Sequence, residues 1–281
     1  SDRADQYEKT TGRTDETYRS FRSQVVNHLV PALGHLRPDQ ITPARWESLI
    51  SDSRMRHPVC KLFNLRKCLI MIQKRAIEEG VLTQIPKYRN PDPNPEGARY
   101  LKDEAVRLLI RVASRTTKLL ALIMWKQGAR PGEILQYQWE MIRWDEGETG
   151  TIHIPGMISK TRRARAIPLN SKVSRILRWL FARSDNRFIF PSPTHPEKPQ
   201  FEYKTGWRTA LRRANGVISK RRLSLPRISG SPYQLRDTFV TNCAKRGVSI
   251  LFTARYIDSS VKMLERHYLV AERQAMMEVA G

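Results

Sequence analysis

The sequence predicts a mainly α-helical protein of two domains, with a small β-hairpin in the second domain. Apolar residues recur at helical spacing through most of the 281 residues. Two short segments, TIHIP (151–155) and RAIPL (165–169), alternate as strands do and flank a basic loop. Four prolines between 85 and 98 separate two helical regions. Because proline interrupts both helices and central strands, this stretch is predicted to be a stiff linker.

The first domain, residues 14–84, is predicted to be entirely helical. Its first helix should begin at residue 14 or 15 and break at Pro31 and Gly34. A second helix follows Thr42, and the longest pattern covers 59–79. The polar residues 1–13 are expected to be frayed, and because residue 1 is not Met, a further segment is expected upstream.

The second domain, residues 99–281, is predicted to pack around a helix that is apolar on nearly every side, TTKLLALIMWKQ (116–127). This helix ends at Gly128, so Arg130 should be aimed by rigid neighbours. A short strand is expected at RFIFP (187–191). A helix after Tyr203 is expected to close at Asn215-Gly216 and to give way to a basic loop.

Charge gives the first indication of a partner. The chain has 50 Lys and Arg against 27 Asp and Glu, a net charge of +23. The excess is +4 up to residue 96 and +19 beyond it. Release of counterions from neutralised phosphates drives nucleic-acid binding, so a polyanion is the expected partner. A basic surface that serves only solubility fits poorly with so large a folded domain.

Other classes of protein find no support in the sequence. Three cysteines suggest reduced core thiols rather than a disulfide framework, and no His or Cys pair has the spacing of metal ligands. We expect neither a metal nor a cofactor. No apolar run reaches 18 residues and no signal peptide is present, so a cytoplasmic protein without a membrane partner is expected.

Four residues of the second domain could together cleave a phosphodiester. Arg130 and Arg236 could bracket the non-bridging oxygens and stabilise the charge of a pentavalent transition state. Lys160, in the hairpin, could protonate a leaving 5′ oxygen. Tyr268 could attack as the nucleophile, since two guanidinium groups favour its phenolate.

Further basic residues are predicted to contact DNA, in two groups. The tip of the hairpin should face an anion through Arg162, Arg163 and Arg165. Residues 203–227 contain eight basic side chains and no acidic one. Those predicted to meet the DNA backbone or a groove are Arg208, Arg212, Arg213, Lys220, Arg221 and Arg222.

In this order, the motifs resemble those of the tyrosine recombinase (phage-type integrase) family. GARPGEIL is similar to its first arginine box, with Arg130 catalytic and Glu133 as a supporting acid. ISKTRRARAIPL, YQLRDTFVT and SSVKMLERHYLV resemble the segments that carry the catalytic lysine, the second arginine and the nucleophile. Residues 17–46 look like part of the family's core-binding domain, a SAM-like helical DNA-binding domain.

This resemblance implies site-specific DNA recombination or integration through a 3′-phosphotyrosyl intermediate and a Holliday junction, without ATP. It implies a clamp around double-stranded DNA with inverted half-sites, and a homo-tetramer at synapsis that is a monomer or dimer off DNA. The segment after Tyr268 would pack on a neighbouring protomer. Accessory DNA-bending or directionality proteins, and a nucleoid location in a prokaryote, phage or mobile element, belong to the same expectation.

Two positions depart from the family's pattern. Tyr233 stands where histidine is usual, and Asp258 where histidine or tryptophan is usual. A tyrosine hydroxyl can still donate to phosphate, whereas an ionised aspartate cannot. Arg255 or Lys262 could compensate, Asp258 could point away, or activity could be weakened. The alternatives are a catalytically weakened or inactive DNA-binding paralogue that acts as a regulator, and a relaxing topoisomerase.

Overall fold

The structure is a computed structural model that describes residues 15–52, 59–90, 100–147 and 149–280. The chain forms two compact units, 1–95 and 96–281, each with its own core. Helices dominate both, and the second unit adds one three-stranded sheet, so the predicted fold class is confirmed. The predicted frayed segment 1–13 and residues 91–98 of the predicted linker lie outside the described residues. Across the described ranges no helix is both long and apolar enough to cross a membrane.

The first unit is built from helices around one apolar core. Its helices are α1 (Asp15–Gln24), α2 (Val30–Leu33), α3 (Pro43–Ser51) and α4 (Val59–Glu78). A π-helical turn, Val25–Leu29, joins α1 to α2. The core is centred on Trp46 and Leu65, both fully buried.

The predicted break at Gly34 is confirmed, whereas the break at Pro31 is wrong, because the helical path continues to Leu33. Pro31 lies in the first turn of α2, directly after the π-helical turn. The regular hydrogen-bond ladder has already changed there, so the N–H that proline lacks leaves a smaller gap than it would in a continuous helix.

Residues 85–90, which were predicted to be part of the linker, lack helix and strand but pack on the first unit. Tyr88 is buried, and its hydroxyl donates to the carbonyl of Ile41 at 2.8 Å and accepts from Gln73 at 2.6 Å. The Trp46 indole N–H donates to the carbonyl of Arg89 at 3.0 Å. This segment therefore belongs to the core of the first unit.

The second unit packs helices around the predicted central helix. Its helices are α5 (Asp103–Val112), α6 (Arg115–Gln127), α7 (Pro131–Ile134), α8 (Ser171–Phe181), α9 (Lys204–Lys220), α10 (Tyr233–Lys245), α11 (Ile250–Ile257) and α12 (Val261–Ala280). Helix α6 is buried along most of its length and packs against α5 and α10, while α10 also packs against α12. Helix α10 therefore lies between the central helix α6 and the C-terminal helix α12 and contacts both.

The sheet contains three antiparallel strands, β1 (Ile142–Trp144), β2 (Gly150–Ile154) and β3 (Arg165–Pro168), in that order. Strands β2 and β3 form the predicted hairpin, with Ile152 opposite Ile167. Strand β1 was not predicted, since three residues are too few to show an alternating pattern. The strand predicted at 187–191 is wrong, because only isolated bridges form there, between Gln138 and Phe188 and between Pro191 and Pro199.

Helix α9 passes through Asn215 and Gly216, where the sequence predicts its end. The Asn215 side chain donates to the carbonyl of Ile228 and accepts from its N–H, both at 2.8 Å. Asn215 thus binds the following loop instead of turning the backbone. The basic stretch up to Lys220 is consequently helical rather than a loop.

Gly128 ends α6 in a left-handed conformation with a φ of 61°. A Cβ atom at this position would lie 2.5 Å from a ring carbon of Phe239 and 2.8 Å from a methyl group of Ile257. Only glycine therefore allows both the turn and the close approach of α10 and α11.

We predict that Gly128→Ala lowers the free energy of unfolding by about 2 kcal/mol or more, since left-handed strain and overpacking each cost about 1 kcal/mol or more. Urea denaturation followed by circular dichroism measures this change. Gly80→Ala is the matched control, because its φ of 72° carries the same strain but nothing lies within 4 Å of its Cβ position. Equal losses in the two variants would contradict the packing argument.

Candidate active site

The turn that follows α6 places Arg130 at the start of α7, with its side chain largely buried. One terminal nitrogen, Nη1, donates to Glu133 at 2.8 Å and to the carboxylate of Asp258 at 3.0 Å. The other, Nη2, donates to the backbone carbonyl of Asp258. Burial acts to lower the pKa of Arg130, but Glu133 and Asp258 outweigh burial and raise it above its ordinary value.

Glu133 is the buried acid at the centre of this cluster, with 2% of its surface exposed. One carboxylate oxygen accepts from Arg130, and the other accepts from Arg165 Nη2 at 2.7 Å. Arg165 begins β3, and its side chain is only 12% exposed. This placement corrects its assignment to the tip of the hairpin that faces DNA.

Asp258 joins the arginines to the hairpin loop. Its carboxylate accepts from the hydroxyl of Thr161 at 2.8 and 2.9 Å and from that of Ser159 at 3.1 Å. It also lies 3.6 Å from Arg165 Nη1. Burial acts to raise the pKa of Asp258, but Thr161 and Arg130 outweigh it and hold the pKa below its ordinary value. The carboxylate is therefore charged and points into the cluster.

Arg236, in the first turn of α10, is buried beside the same cluster. It donates to the carbonyl of Gly128 at 2.5 Å and to that of Ile257 at 2.8 Å. These carbonyls end α6 and α11, where the helix dipole favours a cation. Burial lowers the pKa of Arg236 to about 10, and the charge of Arg130 acts in the same direction. The group remains protonated at neutral pH.

The structure holds Tyr268 apart from these groups. Its half-buried hydroxyl donates to the carbonyl of Val248 at 2.7 Å and lies 2.7 Å from the hydroxyl of Thr253. Burial raises the pKa of Tyr268. Among the described residues, no hydrogen bond links its hydroxyl to Arg130 or Arg236. The ring packs in a small apolar cluster with α10 and α11.

Lys160 and Tyr233 lie at the edge of the cluster with exposed side chains. Lys160 occupies the turn between Ser159 and Thr161, the two residues whose hydroxyl groups bind Asp258. Tyr233 is the first residue of α10, one turn before Arg236, and is 46% exposed.

The other predicted DNA-binding residues are exposed, on two parts of the second unit. Arg162 and Arg163 lie in the hairpin loop. The remainder lie on α9 or directly after it: Arg208, Arg212, Arg213, Lys220, Arg221 and Arg222. A hollow of about 640 Å³ beside α9 is lined by Arg208, Arg212 and Arg227, the last of which was not singled out from the sequence.

Comparison with known proteins identifies the family. The sequence model of the phage integrase family matches residues 99–274, more than half of the chain. The chain belongs to the phage integrase family. The resemblance to tyrosine recombinases is therefore confirmed. Its relatives include tyrosine recombinase XerA of Pyrococcus horikoshii, 25% identical over 175 residues, and of Pyrococcus furiosus, 27% identical over 177. Each match covers 61% of this chain and little more than half of the relative, 56% and 57%.

Solved structures share the fold of this phage integrase family chain. The Tn1549 transposon integrase in complex with a circular intermediate DNA superposes with a TM-score of 0.76 at 14% identity, covering 98% of this chain and 97% of that one. A lambda integrase dimer bound to a COC′ core site gives 0.70 at 17% identity, covering 94% and 93%. At these identities the likeness establishes the fold alone.

The structure brings together several of the site residues predicted from the sequence. Arg130, Glu133, Arg236 and Asp258 lie in one cluster, whereas Tyr268 lies outside it. Sequence reasoning missed Ser159 and Thr161, although hydroxyl residues on both sides of Lys160 were visible in the sequence. Within the described residues, no three His, Cys, Asp or Glu side chains form a group that could hold a metal ion.

We predict that Glu133→Gln lowers the free energy of unfolding by about 3 kcal/mol, since removing one charge from a buried ion-pair network leaves the others uncompensated. Urea denaturation measures the loss. Glu140→Gln is the matched control, because Glu140 also pairs with an arginine, Arg187 at 2.8 Å, but on the exposed surface. That variant should change by less than about 1 kcal/mol. Similar changes in the two variants would contradict a central role for Glu133.

Proposed function

We propose that this chain is a site-specific DNA recombinase that cleaves DNA through a covalent bond to Tyr268. The observation that supports this most is the convergence of Arg130 and Arg236 at the end of α11, where they bind the adjacent carbonyls of Asp258 and Ile257. Membership of the phage integrase family supports the reaction class.

The two arginines retain donors for a phosphate group. A guanidinium has five N–H donors in a planar fork. Arg130 uses three for Glu133 and Asp258, and Arg236 uses two for backbone carbonyls. The buried partners fix the orientation of both guanidinium groups. Their remaining N–H donors are therefore suited to the non-bridging oxygens of a scissile phosphate. Preorganised donors of this kind stabilise the additional charge of the transition state.

In the cleavage step, the Tyr268 oxygen forms a bond to phosphorus while the bond from phosphorus to the 5′ oxygen breaks. The phenol loses its proton to solvent, and the 5′ oxygen takes one from Lys160. A 3′-phosphotyrosyl bond and a free 5′-hydroxyl result. The exposed side chain of Lys160 has the reach that a general acid needs. Tyr233, one turn before Arg236, is placed to donate a further hydrogen bond to the phosphate.

Strand exchange reverses this chemistry on a partner duplex. The 5′-hydroxyl of the partner attacks the phosphotyrosyl bond and releases Tyr268, so one phosphodiester is made for each that is broken. We infer a site of inverted half-sites, a Holliday junction between the two exchanges, and four protomers at synapsis. Tyr268 must first leave the carbonyl of Val248, so binding of DNA or of a neighbouring protomer has to release it.

The basic face of α9 is the proposed contact with the DNA backbone. The guanidinium groups of Arg208 and Arg212 lie one turn apart beside the hollow that Arg227 also lines. Side chains that meet phosphates position a protein on DNA and contribute most of the salt dependence of binding.

We predict that the double variant Arg208→Ala, Arg212→Ala binds DNA more weakly and lowers the slope of log K against log salt by about 2, since each phosphate contact contributes about 0.9. Fluorescence anisotropy with one duplex at several salt concentrations measures this slope. Arg187→Ala is the control, because Arg187 is also exposed but pairs with Glu140. A slope that stays at the wild-type value would remove this face from the interface.

Covalent capture tests the nucleophile and selects the DNA site in the same experiment. Nicked duplexes of random sequence are incubated with the protein, free DNA is removed in detergent, and the bound strands are sequenced. We expect the wild-type chain to recover a shared sequence and Tyr268→Phe to recover none, because phenylalanine lacks the attacking oxygen. Tyr256→Phe, which removes a hydroxyl that binds the carbonyl of Pro168, should still recover it. Adducts with Tyr268→Phe would show that another residue attacks.

A second candidate function is DNA binding without cleavage, as a regulator. The observation in its favour is that the carboxylate of Asp258 binds Arg130 directly, where it competes with a phosphate. Covalent capture separates the two functions. A wild-type chain that shifts a selected duplex in a gel but forms no adduct with it would favour the regulator.

A further inference from the structure

Asp258 ends α11 in a conformation that holds its side chain inside the cluster. Its φ and ψ of 56° and 64° are left-handed, which aspartate tolerates better than most residues. The carboxylate meets hydroxyl groups from Ser159 and Thr161 and guanidinium groups from Arg130 and Arg165. Four partners surround this largely buried carboxylate, which is more than the capping of a helix end requires.

Two of these partners come from the hairpin loop and stand on either side of one residue, Lys160. Ser159 precedes Lys160 and Thr161 follows it. Their hydroxyl groups also lie 3.1 Å from each other, so both backbone positions that flank the lysine are tied to Asp258. The lysine itself is exposed at the top of this turn.

Asp258 therefore connects three separate parts of the second unit. From the end of α11, its backbone carbonyl and its carboxylate hold Arg130 at the start of α7, and the same carboxylate holds the loop between β2 and β3. An ionised carboxylate accepts hydrogen bonds but donates none, so it is suited to fastening hydroxyl groups and unsuited to binding a phosphate.

We propose that Asp258 is a positioning residue that fastens the Ser159–Thr161 turn to the arginine cluster and so holds Lys160 where it protonates the leaving 5′ oxygen. The inference rests on the proposed function, since it concerns the acid in that reaction. It gives Asp258 a different task from the histidine or tryptophan of the family's pattern, namely the placement of another residue.

The leaving group provides a test that a purely structural role would not pass. A thiolate leaves without a proton far more readily than an alkoxide, because the pKa of a thiol, about 8.5, is far below that of an alcohol. DNA with sulfur in place of the 5′ oxygen at the scissile bond therefore does not need the general acid. A captured site is prepared in both forms, and the rate of adduct formation is measured on each.

Three variants should behave alike: Lys160→Ala, Asp258→Asn, and the double variant Ser159→Ala, Thr161→Val. The double variant leaves Asp258 and both arginines unchanged. On oxygen DNA we expect each to be slower than wild type by about 100-fold, the lower end of what general acid catalysis contributes. On sulfur DNA we expect each to lie within about threefold of wild type. Arg130→Ala should be slow on both, because it stabilises charge on the phosphate.

The control is Asp145→Asn, which changes an exposed aspartate bound to the hydroxyl of Thr149, 3.2 Å away at the other end of the sheet. It should match wild type on both substrates. Equal losses on oxygen and sulfur DNA in the double variant would overturn the positioning role. Faster cleavage by Asp258→Asn would also overturn it and would make Asp258 a competitor of the phosphate. A wild-type chain that recovers no DNA in the covalent capture itself would refute the proposed function, and the positioning role with it.

Discussion

The second unit depends on two buried guanidinium groups that satisfy the carbonyl groups at the ends of two helices. Arg236 binds the last carbonyl groups of α6 and α11, and Arg130 binds the next one along, at Asp258. Helix ends expose carbonyl groups without partners and carry partial negative charge, so a cation there satisfies both requirements. Removing either arginine would leave polar groups unpaired at the centre of the unit.

The same contacts give the site its rigidity. Gly128 allows α6 to end where Arg236 can reach it, and Glu133 fixes Arg130 and Arg165 from one side while Asp258 fixes Arg130 from the other. Burial makes each of these charges costly unless it is paired, and the four charges of Arg130, Arg165, Glu133 and Asp258 balance. The third cation, Arg236, has no carboxylate partner and is compensated by backbone carbonyl dipoles instead. Its burial, together with the charge of Arg130, lowers its pKa to about 10.

The sequence predicts those parts of the fold and site that follow from local chemistry. Gly128 predicted the end of α6, hydrophobic periodicity predicted the long helices, and the alternation of apolar and polar residues predicted the β2–β3 hairpin. Contacts between distant residues were beyond such reasoning. The charge of Arg165 suggested an exposed DNA contact, but β3 directs its side chain to Glu133, 32 residues away. Likewise Asp258 looked unfavourable until its hydroxyl partners, nearly 100 residues earlier, were known. Asn215 was predicted to end a helix, because its hydrogen bonds to Ile228, 13 residues later, cannot be read from the local sequence.

The docking of Tyr268 on the carbonyl of Val248 has a consequence for kinetics. Two hydrogen bonds worth about 1 kcal/mol each favour the docked tyrosine over a released one by about thirty to one. Under the proposed function, the observed cleavage rate is then the intrinsic rate multiplied by a small population. A contact that competes for the Val248 carbonyl or for Thr253 accelerates cleavage by up to that factor without touching the phosphate. Under the same proposal, nicking of DNA by an unassembled protomer is suppressed to the same extent.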